Sequence, residues 1–206
     1  LHVGHCRGAV IGDALSNILA FNGNKVVREY YVNDHGGQIS NFVESVYHRI
    51  MELTQKKPFP YEKNLYPGDY IIEIAKKIIS SKKIKNFNDH KKLSLVSLKY
   101  SMDMIKENLN LLNIKHNNFV YESDLIKDKI VEKTIKLLQK KSYIYKGKIN
   151  APKGEEKKDW KSRIQLLFKS SLFGDDIDRP LQKEDGTWTY FAGDMAYHSF
   201  KISRKF

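Results

Sequence analysis

An α/β fold with parallel strands is what the sequence predicts, on three observations. Leu1-His2-Val3-Gly4-His5 reads as a strand end turning into a helix, and an amphipathic run over 5–22 follows it. Lys25 to Val32 is then rich in β-branched and aromatic residues, the mark of a second strand. Farther on, short strand patterns alternate with helical periods, and a mainly helical stretch over about 55–115 interrupts them.

The first element is the helix over 5–22. Val10, Ile11, Ala14, Leu15, Ile18, Leu19 and Phe21 recur at three- and four-residue spacing, which predicts a buried face, and Asn22-Gly23-Asn24 supplies the stop. With the strand over 25–32 this makes a βαβ unit. Its crossover should be right-handed, and ligands should gather at the carboxyl ends of its strands. The second strand runs into Asn33-Asp34-His35-Gly36-Gly37-Gln38, a polar loop at that same edge. Asn33 or Asp34 is expected to cap the next helix while Gln38 reaches inward. That helix runs from Ile39 to about Leu53, with Phe42, Val43, Val46, Ile50 and Leu53 on one face.

Pro58, Pro60, Pro67 and Gly68 mark 54–68 as a connector. Helical periods follow over 69–81 (Tyr70, Ile71, Ile74, Ile78) and 90–114 (Leu93, Val96, Leu98, Met102, Ile105, Leu109, Leu112), with a basic loop between. The lysines here are expected to form a solvated face. Beyond them come a strand over 119–123, a helix over 124–140, a strand at 143–145 and a turn at Lys146-Gly147-Lys148. A mobile surface loop is expected over 151–162 and a strand over 165–169. Asp-Gly at 185–186 predicts a hairpin joining 181–183 to 187–191, and a last helix covers about 193–204. The expected division is 1–54 as a first βαβ half, 55–115 as a helical insertion, and 116–206 as the continuation of the first domain.

Composition bounds the function. The 206 residues are 41% hydrophobic and 12% aromatic, which is globular rather than disordered. No apolar run approaches the roughly 20 residues that span a bilayer, and no secretory signal pattern opens the chain. A single cysteine, Cys6, excludes an internal disulfide and a cysteine-built zinc site. A cytoplasmic location and a small buried role for Cys6 are the expectations. The formal charge of +12 suggests a nucleic-acid partner, yet only six of the 36 basic residues are Arg, so the lysine excess is permissive evidence only. Leu1 stands in mid-transition and Phe206 follows directly on a helical pattern, so a piece of a larger protein is expected.

Three places carry candidate chemistry. His2 and His5, separated by Gly4, stand where a helix N-terminus offers unpaired N–H groups and positive dipole charge, a natural phosphate seat. Two ordinary histidines remain the other reading of H-x-G-H alone. Asp175, Asp176 and Asp178 suit a turn bonding its own backbone better than a cation site, and no metal site is expected. Tyr190 is read as the end of a strand and Asp194 as the opening of a helix. They form either a core aromatic with an N-cap or a phenol and carboxylate placed to hold a cation.

The assembled blocks resemble a family. His2-Val3-Gly4-His5, then Cys6-Arg7-Gly8-Ala9-Val10-Ile11-Gly12-Asp13, resembles the HIGH signature helix of class I aminoacyl-tRNA synthetases, in the form of the arginyl enzymes. Arg28 through Gln38 is similar to a second block of that family. Asp178-Arg179-Pro180-Leu181, Lys183 through Phe191, and Asp194-Met195-Ala196-Tyr197 are similar to a third.

The resemblance implies a Rossmann-type catalytic domain that ligates arginine to tRNA through an arginyl-adenylate. It implies that His2, Gly4 and His5 bind ATP and that the two histidines are catalytic. It implies that Tyr190 and Asp194 line the arginine pocket, with Asn33, Asp34 and Gln38 as further arginine contacts. ATP would enter as a substrate with Mg2+, and no tightly bound cofactor is expected. The partners implied are tRNA, arginine and ATP, with no membrane, and the protein is expected to be a monomer. The second, lysine-rich phosphate loop, the extra N-terminal domain and the anticodon-binding domain of the family have no counterpart in these residues. The fragment by itself is therefore expected to have little aminoacylation activity. Two rivals stand beside this reading: another H-x-G-H nucleotidyltransferase, and a non-catalytic basic RNA-binding module.

Overall fold

The computed structural model describes residues 2–148 and 163–204. The expected strand residue Leu1 and the expected loop over 151–162 lie outside them. The chain divides into two compact units, Leu1–Val120 and Tyr121–Phe206.

In the first unit, helix α1 (Val3–Phe21) leads to strand β1 (Glu29–Val32), then helices α2 (Gly37–Gln55), α3 (Asp69–Ser81) and α4 (His90–Leu111), and strand β2 (Asn118–Tyr121). β1 and β2 pair as a two-stranded sheet. The carbonyl of Arg28, just before β1, accepts the N–H groups of Asn117 and Asn118 at the start of β2. The two strands therefore run parallel; the first strand of the expected βαβ unit, placed before α1, is not part of this pair. Only half of the run over 25–32 is strand.

The core of this unit lies among α2, α3 and α4. Phe42, Val43, Val46, Ile50 and Met51 of α2 meet Ile71, Ile74 and Ile78 of α3 and Leu93 of α4. Leu53, expected inward, is exposed, and Met51, two residues earlier, is buried instead. The connector is held by buried Arg49 of α2. Its guanidinium bonds Glu52 Oε2 at 2.7 Å and the Pro67 carbonyl at 2.9 Å, and lies 3.9 Å over the Phe59 ring. Charge, hydrogen bonds and ring face together offset the desolvation of that guanidinium.

Two expectations fail here for clear reasons. Neither Asn33 nor Asp34 caps α2. The N-cap is Gly36, at φ 91°, with no side-chain bond, a backbone shape that glycine adopts without steric cost. The apolar stripe of α1 is not buried either. No residue of this helix is buried, Cys6 is half-buried, and Ile11, Leu15 and Ile18 are each more than half exposed. Periodicity marks a face that can be buried; it does not supply the surface that covers it.

In the second unit, α5 (Glu122–Lys127) and α6 (Ile130–Lys140) precede β3 (Ile144–Gly147), β4 (Gln165–Phe168), a 3₁₀ turn at Ser170–Phe173, β5 (Arg179–Pro180) and α7 (Tyr190–Ser203). The single helix expected over 124–140 is broken at Lys129, which takes the left-handed conformation at φ 55°. β3, β4 and β5 form an antiparallel sheet, with Ile144 opposite Phe168, Gly147 opposite Gln165, and Leu167 opposite Pro180. Lys146 and Gly147 thus extend the strand instead of turning, while Pro180 sits on an edge strand, where its missing N–H costs nothing. The hairpin about Asp185-Gly186 reduces to a bridge between Gln182 and Trp188. Val131 and Ile135 of α6 pack on Ala192 and Ala196 of α7 and on Leu181. As in α4, Lys56 and Lys82 close α2 and α3 without glycine, but both stand in the left-handed region, at φ 58° and 52°.

Candidate active site

Helix α1 begins at two stacked imidazoles. His2 is its N-cap, extended at φ −112° and ψ 170°. The His2 Nδ1 accepts the His5 main-chain N–H at 3.4 Å, and the His2 carbonyl accepts that of Cys6 at 3.0 Å. The two rings lie 3.6 Å apart, 21° from parallel. A Cβ on Gly4 would stand 3.0 Å from His2 Cε1, so an alanine there would require the His2 ring to shift by a few tenths of an ångström. Both histidines are exposed and the first turn carries no acid. Desolvation and then the neighbouring His2 hold His5 below the usual histidine pKa. The arrangement suits an anion: free helical N–H groups, the positive dipole end, and two ring donors.

What holds α1 to its unit is polar. The Arg28 Nε lies 3.2 Å from Asp13 Oδ1, and its Nη2 bonds Asn17 Oδ1 at 2.6 Å; Asn17 in turn bonds Asp13 Oδ2 at 2.9 Å. The Arg28 main chain is bonded on the other side to Asn117, which accepts its N–H at 2.8 Å. His116 borders this clamp, and burial pushes it below its usual pKa, against the pull of Asp13 and with the push of Arg28. The sequence reading missed the clamp, although Asp13 and Asn17, four apart in an apolar stripe, were a visible signal. With no buried apolar residue in α1, Arg28→Ala should free the helix. Amide exchange over residues 8–20 is expected to accelerate at least tenfold relative to α2, by the loss of about 2 kcal/mol from a half-buried ion pair. Unchanged exchange would show that other contacts hold the helix.

The polar loop after β1 splits. Asn33 and Gln38 line a cleft of about 330 Å³ with Tyr30, Tyr31, Tyr66 and Tyr70, floored by apolar side chains of α2 and α4. Asp34 does not line it. None of its lining residues is charged.

In the second unit, Tyr190 is not the end of a strand but the first residue of α7, and Asp194 is not its N-cap. Thr189 is the cap: its Oγ1 accepts the Ala192 N–H at 3.3 Å and donates to the Pro180 carbonyl at 2.8 Å. Tyr190 and Asp194 are therefore one turn apart on one helix face. Tyr190 is 58% exposed, Asp194 is exposed, and among the described residues no side chain pairs with the Asp194 carboxylate. A phenol and an uncommitted carboxylate on one face can grip a planar cation.

The neighbouring aspartates are committed. Asp175 takes Arg179 bidentately, both bonds at 2.6 Å, and that guanidinium holds its carboxyl down to about 2. Asp178 accepts from Ser171 Oγ at 2.6 Å and Tyr145 Oη at 2.7 Å. Among the described residues, no group of three or more His, Cys, Asp or Glu could hold a metal ion.

Comparison with known proteins decides the family. Residues 1–205 match the family model described as tRNA synthetases class I (R), catalytic domain. The chain belongs to the class I arginine tRNA synthetases. Within that family it is 52% identical over 211 residues to an arginine–tRNA ligase of Pelagibacter ubique (strain HTCC1062), covering all of this chain and 37% of the relative. It is 50% identical over 210 residues to that of Anaplasma marginale (strain St. Maries), covering all of this chain and 36% of the relative. A solved Campylobacter jejuni chain assigned to the arginyl-tRNA synthetases superposes with a TM-score of 0.81 at 31% identity, over all of this chain and 42% of that one. The class I synthetase catalytic fold expected from the signature blocks is thus the fold found. The chain spans just over a third of the length of the curated relatives it matches.

Proposed function

We propose that the protein carrying this chain is an arginine–tRNA ligase, which activates arginine with ATP and passes it to tRNA. The observation that carries the arginine reading is the exposed Asp194 carboxylate, with which no described side chain pairs, one helical turn from Tyr190, whose ring has the Lys183 Nζ 5.7 Å from its centroid. A carboxylate is the fitting partner for a guanidinium, and lysine lacks the planar fork that such a pair selects.

In this reading His2, Gly4 and His5 seat the ATP phosphates at the N-terminus of α1. An arginine carboxylate oxygen attacks the α-phosphorus, a P–O bond forms, and pyrophosphate leaves. A ribose hydroxyl of the tRNA then attacks the adenylate carbonyl carbon and AMP leaves. No side-chain nucleophile is needed. The chain's part is to position the reactants and to donate hydrogen bonds to charge that grows on phosphate oxygens. Mg2+ enters with ATP as its counterion. Asn33, Asp34 and Gln38 of the loop after β1 belong to the same reading as further arginine contacts. A monomer, a cytoplasmic location, and the division into 1–54, 55–115 and 116–206 belong to the same proposal. No described helix is long and apolar enough to cross a membrane.

The test is ATP–pyrophosphate exchange by the full-length protein in the presence of tRNA. Exchange is expected with arginine and not with citrulline, which keeps the shape and lacks the charge. Exchange driven equally by citrulline would sink the arginine reading.

A further inference from the structure

Helix α1 carries the two histidines at its first turn, yet what fixes its direction lies farther along it. Its half-buried residues are Cys6, Ala9, Asp13 and Ser16, a single stripe at three- and four-residue spacing. Three of these side chains are small and bury little apolar surface. Ser16 turns back on its own helix, donating to the Gly12 carbonyl at 2.8 Å. Asp13 reaches across to Arg28 instead. The exposed Ile11, Leu15 and Ile18 belong to a different face of the helix, so whatever covers them acts apart from this contact.

Arg28 is built as a strut. Its main chain is tied to the start of β2 by three bonds: its N–H donates to Asn117 Oδ1 at 2.8 Å, and its carbonyl accepts the N–H groups of Asn117 at 2.8 Å and Asn118 at 3.1 Å. Its guanidinium then spans two acceptors of α1, Asp13 Oδ1 and Asn17 Oδ1, and Asn17 closes the triangle on Asp13 Oδ2. The Arg28 and Asp13 side chains are only 23% and 22% exposed, so salt and water screen the pair in part. At about 1.5 Å per residue, His5 stands about 12 Å along the helix from Asp13. A tilt of about 10° about this contact carries the histidines about 2 Å. Misplacing a reacting group by about 1 Å can cost about 10²-fold in rate.

We propose that Arg28 is a positioning residue for adenylate formation: through Asp13 and Asn17 it sets the direction of α1 and so places His2 and His5 on the ATP phosphates. This rests on the ligase reading and adds to it a residue that acts on the reaction through the histidines.

The test uses the full-length protein with Arg28→Ala and Arg28→Lys, each alone and combined with His5→Ala. Thermal melts give the folded fraction of every variant. The readouts are arginine-dependent ATP–pyrophosphate exchange with tRNA present, and direct binding of ATP. Arg28→Ala is expected to lower the exchange kcat about 30-fold and to weaken ATP binding about fivefold, with the arginine KM within about twofold. Arg28→Lys keeps the charge but lacks the planar fork, and it should fall between Ala and the parent. With His5 already replaced, the loss of Arg28 should cost less than about fivefold in kcat, since two residues acting on one step through the same contact are not additive. An equal cost in both backgrounds would overturn the proposal. So would an unchanged kcat, a raised arginine KM, or a loss no larger than the drop in folded fraction. Failure of the ligase reading is separate: it shows as ATP binding without arginine-dependent exchange in the parent protein. The Arg28 variants are then judged on ATP binding, where weakening supports the strut and unchanged binding overturns it.

Discussion

Replacing Asp194 by Asn in the full-length protein is expected to raise the arginine KM about 100-fold while the ATP KM stays within twofold. Asn keeps the size of the side chain and one acceptor but loses the charge. A charge-assisted bidentate pair loses about 2–3 kcal/mol on that change, and each 1.4 kcal/mol is a factor of ten. The surroundings of Asp194 make the experiment clean. It caps nothing, since Thr189 does that, and no described side chain pairs with it, so the fold has no stake in its charge. Tyr190→Phe on the same face should cost less, about tenfold, because the ring remains. Steady-state exchange kinetics with arginine and ATP varied in turn separate the two substrates. An unchanged arginine KM in the Asn variant would remove Asp194 from the pocket.

Replacing His5 by Ala should act on the other substrate and on the rate. The expected loss is about 10²–10³ in kcat for arginyl-adenylate formation, the effect of removing one preorganised donor to a developing phosphate charge, with little change in arginine KM. His2→Ala should lose a comparable factor and something more. His2 both stacks on His5 and accepts its main-chain N–H, so its removal also loosens the geometry of the surviving ring. The double variant should therefore fall well short of the product of the single losses, as expected for residues that act as a unit. Full additivity would show that the stack seen here is incidental to the chemistry.

How much of this was legible in the sequence depends on whether the deciding contact was local. α3 was readable to the residue, because Pro67-Gly68 opens it and an unbroken isoleucine period fills it. The His2–His5 seat was readable because its geometry is set within one helical turn. The start of α7 was not. Thr187 to Phe191 has strand composition, and it turns helical at Tyr190 because Thr189 caps the turn while anchored to Pro180, a contact made across nine residues. The break at Lys129 left no trace either, since Asp128-Lys129 is compatible with a helix. The Arg28 clamp joins a helix to two strands, and the tyrosine cleft draws on four separate segments; neither has a spacing that a single pass along the chain can see. The apolar stripe of α1 is the reverse case, a pattern plainly present whose burial this chain does not supply.

Lys56, Lys82 and Lys129 have a consequence for thermal resistance. Each holds a left-handed backbone at a helix boundary, where a side chain bearing a Cβ pays about 1 kcal/mol relative to glycine. Among the described residues none of the three lysines makes an ion pair that would compensate. Glycine at all three places would remove strain from separate boundaries, so the gains should add to roughly 2–3 kcal/mol. A variant with glycine at all three positions is therefore expected to melt several degrees above the parent in a thermal scan, a margin held in three side chains at helix boundaries.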